Sequence, residues 1–316
     1  MAKKSIIIRN WPKYIMQWGV LTALIAFIAG FIPSELVTNR VDDCLPCCTA
    51  SQQMIMGAAL LVAVIMFSRL FCGYICPVGT VQDIIVKIRT RIRMKSIKVS
   101  NGSITDKALR IVKYVLLFWI FYIIANGGFD NELTFWISIT SACTLVVGSI
   151  AVDMFWCRYI CPLGAISNSF KFWIWMLIIF GAYTAANLLG ANISWTYLLG
   201  AFCVIGYGLE IFNGRPKLQI LHITKNEVPC NKCGVCKRVC PYHIDHRSFH
   251  NGKINHVDCT LCCECVEACP CGALTVGTDK PTRSKLWRAI PPLLAIALIA
   301  ALIFICMKTD ILSMLK

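Results

Sequence analysis

FWIWMLIIFGAYTAANLLGANISWTYLLGAFCVIGYGL, residues 172–209, runs for 38 residues without a charge. As one helix it would extend about 57 Å, nearly twice the ~30 Å hydrocarbon core of a bilayer. It must therefore fold back, and Asn187-Leu-Leu-Gly-Ala-Asn192 is the place where Gly and Asn permit a turn. Two spans joined by a hairpin are expected here. Similar stretches lie on both sides: Tyr14–Pro33, Thr49–Ser68, Leu133–Val152 and Ala289–Met307 each carry no charge. A shorter one, Tyr114–Phe129, can be extended through Leu109–Val112 with Arg110 and Lys113 at the interface. About seven membrane-spanning helices follow, and the composition agrees. Of 316 residues, 57% are hydrophobic and 15% charged, against roughly 25% charged in soluble domains.

Net charge is +15, from 31 Lys+Arg and 16 Asp+Glu. In a membrane protein such an excess belongs to cytoplasmic loops rather than to a nucleic-acid surface. Residues 1–13 carry Lys3, Lys4, Arg9 and Lys13, and residues 77–108 carry seven basic residues against Asp83 and Asp106. The intervening loops hold Glu35, Asp42 and Asp43 against Arg40, then Asp130 and Glu132. This alternation places the N-terminus in the cytoplasm of a prokaryotic inner membrane and the C-terminus outside. The first apolar run is too long for a signal peptide and reads as an anchor helix. The basic run from Lys87 to Lys98 reads as lipid-headgroup contact. Arg69, at the end of the second span, reads as a residue that snorkels to the cytoplasmic face.

The polar exception is a cytoplasmic segment, 213–286, between a six-span domain (1–212) and a last helix (287–316). It contains Cys230-Asn-Lys-Cys233-Gly-Val-Cys236-Lys-Arg-Val-Cys240-Pro241 and Cys259-Thr-Leu-Cys262-Cys263-Glu-Cys265-Val-Glu-Ala-Cys269-Pro270. Both have the C-x2-C-x2-C-x3-C-P spacing that holds a [4Fe–4S] cluster, with the fourth Cys serving the other cluster. Cys230, Cys233, Cys236 and Cys269 are the expected ligands of the first cluster; Cys259, Cys262, Cys265 and Cys240 of the second. Zinc sites use two C-x2-C pairs from separate loops, and disulfides are disfavoured in the cytoplasm. Cys263 and Cys271 fall outside the spacing and read as spectators. The expected fold is thus an all-α polytopic membrane protein with a small inserted α+β domain of the bacterial 2[4Fe–4S] ferredoxin type.

A second repeat lies at the membrane face. Phe71-Cys72-Gly73-Tyr74-Ile75-Cys76-Pro77-Val78-Gly79 returns 85 residues later as Trp156-Cys157-Arg158-Tyr159-Ile160-Cys161-Pro162-Leu163-Gly164. On a helix, Cys at i and i+4 would share a face, and the following Pro ends the helix. Four thiols could hold a third cluster or a metal ion, act as two dithiols, or pack as small apolar residues; spacing leaves all three open.

With the ferredoxin segment, this repeat makes the chain resemble the NapH-type membrane polyferredoxins, a superfamily that also includes the NosR and CcoG groups. The resemblance covers approximately residues 14–275. It implies a quinol-oxidising electron conduit, often without haem, in which Cys72, Cys76, Cys157 and Cys161 match the membrane motif and the eight ferredoxin Cys match the clusters. The chain departs from the NapH type by two spans before the ferredoxin segment and one after it. The expected activity is electron transfer between a cytoplasmic ferredoxin or flavoprotein, two [4Fe–4S] clusters and a membrane quinone or partner subunit, as a quinol-dehydrogenase-like component of an oxidoreductase complex. The alternative is an accessory or maturation factor of the CcoG kind that reduces a metal or thiol for a client enzyme.

Asp42-Asp43-Cys44-Leu45-Pro46-Cys47-Cys48 in the first outer loop reads either as a local disulfide or as an extracytoplasmic metal or redox site. Cys143, Cys203 and Cys306, single within spans, read as core packing. All five His lie between His222 and His256, so no haem is expected within the membrane.

Overall fold

The computed structural model of the protein describes residues 11–28, 69–97, 99, 102–125, 131–213, 221–245, 252–254, 256–277, 290–294 and 296–297. Helix α1 (Trp11–Ile28) is followed by the short α2 (Leu70–Tyr74), α3 (Pro77–Arg91), α4 (Ile104–Ala125) and α5 (Asn131–Ala151). One turn of π-helix (Trp156–Ile160) leads into α6 (Pro162–Phe170), α7 (Trp173–Leu188) and α8 (Trp195–Asn213). The remaining elements are β1 (His222–Lys225), α9 (Val235–Val239), β2 (Lys253–Ile254), α10 (Glu264–Glu267) and β3 (Leu274–Gly277).

The uncharged stretches at 133–152 and 172–209 are helical, as α5 and as the α7–α8 hairpin. The hairpin turns where the Asn–Gly stretch foretold. Asn187 Oδ1 accepts from the Ile193 N–H at 2.7 Å, and Tyr183 donates to the Ile193 carbonyl at 3.1 Å. Gly190 (φ +88°) and Asn192 (φ +45°) take the left-handed conformations that reverse the chain. The described helix α1 covers the start of the expected first span. The span at 49–68 and most of that at 289–307 lie outside the described residues. Among the described helices, Trp195–Phe212 alone is long and apolar enough to cross a membrane by itself, and α6 with α7 qualifies as a pair bent by 93°. The helices also turn large apolar side chains outward, among them Val147, Leu177 and Val204, as a lipid-facing surface does.

Helix α4 starts ten residues before the expected span, and the reason is electrostatic. Its first turns are charged but not wet: Arg110 and Lys113 are buried and paired with Glu210 of α8, Lys113 at 2.7 Å. They do not sit at the lipid interface, as the sequence suggested. Around them Tyr114, Leu117, Ala165, Met176, Phe202 and Cys203 form the apolar core where α4, α6, α7 and α8 meet.

The polar segment is a small α+β unit. β1 lies between β2 and β3, antiparallel to both, with Ile223 opposite Ile254 and Val276. Its core is not separate from the helical part. Tyr74 and Cys157 from the C-x3-C-P repeats, with Leu70 and Met154 just before them, pack in one cluster with Ile223, Tyr242, Leu261 and Val266.

Candidate iron–sulfur sites

The two C-x2-C-x2-C loops have the same backbone. Lys232 and Leu261, two residues after the first Cys of each, both take φ near +55°. Gly234 and Cys263, four residues after it, take +72° and +61°. Left-handed residues alternating with right-handed ones turn successive N–H groups inward and build the concave nest that favours anionic centres such as iron–sulfur clusters. Cys263 thus stands where the first loop has Gly234. Its thiol donates to the Leu261 carbonyl at 3.2 Å, and it lines the second cavity.

Each loop closes round a cavity. The first is lined by Cys230, Cys233, Cys236 and Cys269, the second by Cys259, Cys262, Cys265 and Cys240. Each set expected from the spacing thus lines one cavity, the first together with Cys271 and the second together with Cys263. Cys240 is extended (φ −71°, ψ +119°) because Pro241 follows, and that carries it out of its own loop toward the other.

The donor set tests whether an iron–sulfur cluster fits. Burial pushes the Cys262 thiol up to about 11, against the pull of Lys13, and raises Cys240, Cys259 and Cys265 as well. Four such thiols stay neutral unless a metal takes them as thiolates. Among the described residues no three His, Cys, Asp or Glu side chains converge as they would on a single ion. Soft sulfurs spread around a cavity suit a multinuclear cubane better than one tetrahedral zinc.

The C-x3-C-P repeats differ at their start, α-helix over Leu70–Tyr74 and π-helix over Trp156–Ile160, but they end alike, and not as the expected helix. In both, the second Cys leaves the helix: Cys76 (φ −63°, ψ +118°) and Cys161 (φ −61°, ψ +115°) precede a Pro and cap the N-terminus of the next helix. Their N–H groups reach back five residues, to Phe71 at 2.9 Å and Trp156 at 2.8 Å. The two thiols of a repeat are therefore set by a π-type turn and an extended pre-proline residue, not by i,i+4 stacking. The final Gly of each repeat packs on the carbonyl of its first Cys. A Cβ on Gly79 would lie 2.5 Å from the Cys72 oxygen, and one on Gly164 would lie 3.1 Å from the Cys157 oxygen.

These four cysteines lie within one another's electrostatic reach. The buried Cys157 thiol lies in the fields of Cys72, Cys161 and Cys76, and Cys72 in those of Cys76 and Cys161. Burial pushes Cys72 up to about 11 even with Arg69 beside it. Gln82, fully buried, accepts from the Cys157 N–H at 3.3 Å and donates to Ser149 at 2.9 Å.

This four-thiol group abuts the second ferredoxin cavity. A Cβ on Gly73 would meet the Thr260 carbonyl oxygen at 3.1 Å, and Tyr74 donates to the Leu261 carbonyl at 3.2 Å; Thr260 and Leu261 both wall that cavity. Tyr242, another wall residue, is in the fields of Cys157 and Cys72.

Buried ion pairs fasten the junction. Asp258, next to the cluster Cys259, is wholly buried with Arg69 at 3.3 Å and Arg110 at 2.7 Å. Burial alone would raise its carboxyl, but Arg110 and Arg69 outweigh it and hold it well below the usual carboxylate range. Arg69 does not snorkel to water; it is buried and donates to the Gly164 carbonyl at 2.9 Å. Asp106 takes Arg158 at 2.7 Å and Tyr159 at 2.8 Å. The basic run at 87–98 divides: Arg89 is buried and paired with Asp153, which also meets His243 at 2.7 Å, while Arg91, Arg93 and Lys95 remain exposed. His256 takes no charge here. Its Nδ1 accepts from the Asp258 N–H at 3.2 Å, and burial pushes it down to about 4.

None of the described cysteines is in a disulfide. Cys203 is in the helical core, as expected, whereas Cys143 is exposed on α5 and packs no core. Cys271 lines the first cavity with its sulfur 3.7 Å from that of Cys269. Cys44, Cys47, Cys48 and Cys306 lie outside the described residues.

The family model for a 4Fe-4S binding domain matches this chain at residues 54–95 and 134–176. Those matches fall on the two C-x3-C-P repeats, not on residues 230–269. YccM of Escherichia coli, described as an electron transport protein, is 24% identical over 88% of this chain and 71% of its own length. The ferredoxin-type protein NapH of Haemophilus influenzae is 23% identical over 68% of this chain and 65% of its own. The chain is similar to the NapH-like polyferredoxins, and these matches support that family. It is a mostly helical iron–sulfur electron-transfer protein with a ferredoxin-type domain. An uncharacterised protein of Methanocaldococcus jannaschii is 25% identical over 68% of this chain and 75% of its length. No solved structure is significantly similar.

The sequence did not single out Arg69, Asp258, Gln82 or the repeat glycines as site residues. One signal was available for Arg69 and Asp258: a lone charge beside an uncharged run and an acid next to a cluster Cys both need a partner.

Proposed function

We propose that this polyferredoxin is a membrane electron conduit with three iron–sulfur sites in line. Cys230, Cys233, Cys236 and Cys269 hold the first; Cys259, Cys262, Cys265 and Cys240 the second; Cys72, Cys76, Cys157 and Cys161 the third, at the membrane face. Each cluster, when bound, takes up and releases one electron at a time. The chain's own residues keep the sites dry and adjacent: Gly73 and Tyr74 seat the first C-x3-C-P repeat on the second ferredoxin loop, and Asp258 locks that loop to Arg69 and Arg110.

The observation that carries the reading is the direct packing of the first C-x3-C-P repeat, through Gly73 and Tyr74, on Thr260 and Leu261 of the second cavity's wall. Zinc or purely structural thiols would not require that contact. Domains at 1–212, 213–286 and 287–316, seven spans, a cytoplasmic ferredoxin domain and an outer C-terminus complete the proposal, supported by the charge alternation of the loops. The outermost partner is a cytoplasmic ferredoxin or flavoprotein at the open first cavity. The membrane partner is a quinone or a subunit that binds one.

Protein purified without oxygen is expected to exchange electrons between a menaquinone analogue and a small ferredoxin. The C72A/C157A variant is expected to lose that exchange while dithionite still reduces its ferredoxin-domain clusters. Reduction of copper or of a disulfide, with no quinone activity, would instead establish the maturation factor.

A further inference from the structure

The fourth cysteine of each ferredoxin motif opens a turn of the same build. Cys240-Pro241-Tyr242-His243 is closed by the His243 N–H on the Cys240 carbonyl at 3.0 Å, and Cys269-Pro270-Cys271-Gly272 by the Gly272 N–H on the Cys269 carbonyl at 3.4 Å. Pro presets the second position of each turn, and the fourth is left-handed in both, His243 at φ +52° and Gly272 at φ +61°. The third position faces a cavity in both: Tyr242 lines the second and Cys271 the first. Only the side chain differs. Tyr242 is a buried wall, whereas Cys271 is a partly exposed fifth sulfur.

This turn sets the Cys271 sulfur 3.7 Å from that of Cys269, in contact with it. Two sulfurs so close stand at one corner of the cavity, and each iron of a cubane takes one cysteine. The extra thiol of the second cavity is placed otherwise. Cys263 belongs to the loop itself and donates to the Leu261 carbonyl, away from the turn that carries Cys240. The first cavity is also the more open: its Cys233 is exposed, while Cys240 and Cys265 of the second are buried. A cysteine holds metal as its thiolate, so water that reaches the sulfur and protonates it releases the metal.

We infer that Cys271 is a reserve ligand of the first cluster, able to hold the iron that Cys269 holds. In the exchange Cys271 gives up its proton and bonds the iron, the Cys269–iron bond breaks, and Cys269 takes up a proton. No electron moves, and all four irons keep a thiolate. The cavity that meets the cytoplasmic partner is thereby guarded against loss of its fourth ligand. The inference rests on the proposed first cluster alone and owes nothing to the membrane-face site.

The test is iron and acid-labile sulfide per chain on full-length protein purified without oxygen, for wild type, Cys271→Ala, Cys269→Ala, Cys240→Ala and Cys269→Ala/Cys271→Ala. Both single variants of the first cavity are expected to keep the wild-type count. The double variant and Cys240→Ala, whose turn carries Tyr242 in place of a thiol, are each expected to lose about four irons. A fall in Cys269→Ala of about one iron, or as far as the double variant, would overturn the inference and leave the first cluster standing. A double variant with the wild-type count would show that neither sulfur holds iron, and the proposed first site would fall with the inference. Alkylation of the anaerobic protein, located by mass spectrometry, needs no double variant. It is expected to mark Cys271 in the wild type and to spare it in Cys269→Ala; marking in both would overturn the inference.

Discussion

The glycine that ends each C-x3-C-P-x-G repeat is where a single residue matters most. Gly79 allows helix α3 to start against the carbonyl of Cys72, and any Cβ there would lie 2.5 Å from that oxygen. Backbone has to move, and the backbone in question carries a site thiol. Gly79→Ala is expected to cost about 1–3 kcal/mol, as overpacking does, and to lower iron at the membrane-face site. Gly164→Ala, with 3.1 Å of clearance, is expected to be milder. Thermal unfolding and iron content of the two variants check the order; equal and negligible effects would mean that the glycines are incidental. The motif spacing exposed the twelve site cysteines to sequence reading, but the glycines' purpose was hidden. Only the shared π-type turn brings the first Cys carbonyl against the seventh residue after it.

Helices α7 and α8 were legible as elements because 38 uncharged residues cannot be one span, and Asn187–Asn192 marks the turn. α4 was legible less well. A hydropathy reading stops at charge, whereas Arg110 and Lys113 are neutralised by Glu210 and Asp258, which are about 100 and 150 residues away in sequence, and Asp106 by Arg158. Arg69 misled for the same reason, since a pairing partner in another element leaves no local trace. At this scale the orientation is testable. A reporter that is active only outside the cytoplasm is expected to be active when inserted after Ala191, in the α7–α8 turn, and inactive after Ser96, beyond α3. The reverse pattern would invert the proposed topology and place the ferredoxin segment outside.

Seen whole, the molecule joins its two parts through one core and one set of buried ion pairs rather than through a tether. Tyr74, Cys157, Tyr242 and Leu261 pack in a single cluster, and Asp258 bridges the ferredoxin loop to α4 and to the first repeat. A junction of that kind fixes the spacing between the second ferredoxin site and the membrane-face cysteines, which a conduit requires and a flexible maturation factor does not. The family match on the C-x3-C-P repeats as a 4Fe-4S binding domain, rather than on the ferredoxin loops, points the same way. The most direct measurement is therefore iron and acid-labile sulfide per chain, on protein purified without oxygen, beside the C72A/C157A variant. Three [4Fe–4S] sites predict about twelve iron atoms in the wild type and about eight in the variant. About eight in both would contradict the account by confining the clusters to the ferredoxin domain and leaving the four membrane-face cysteines as thiols.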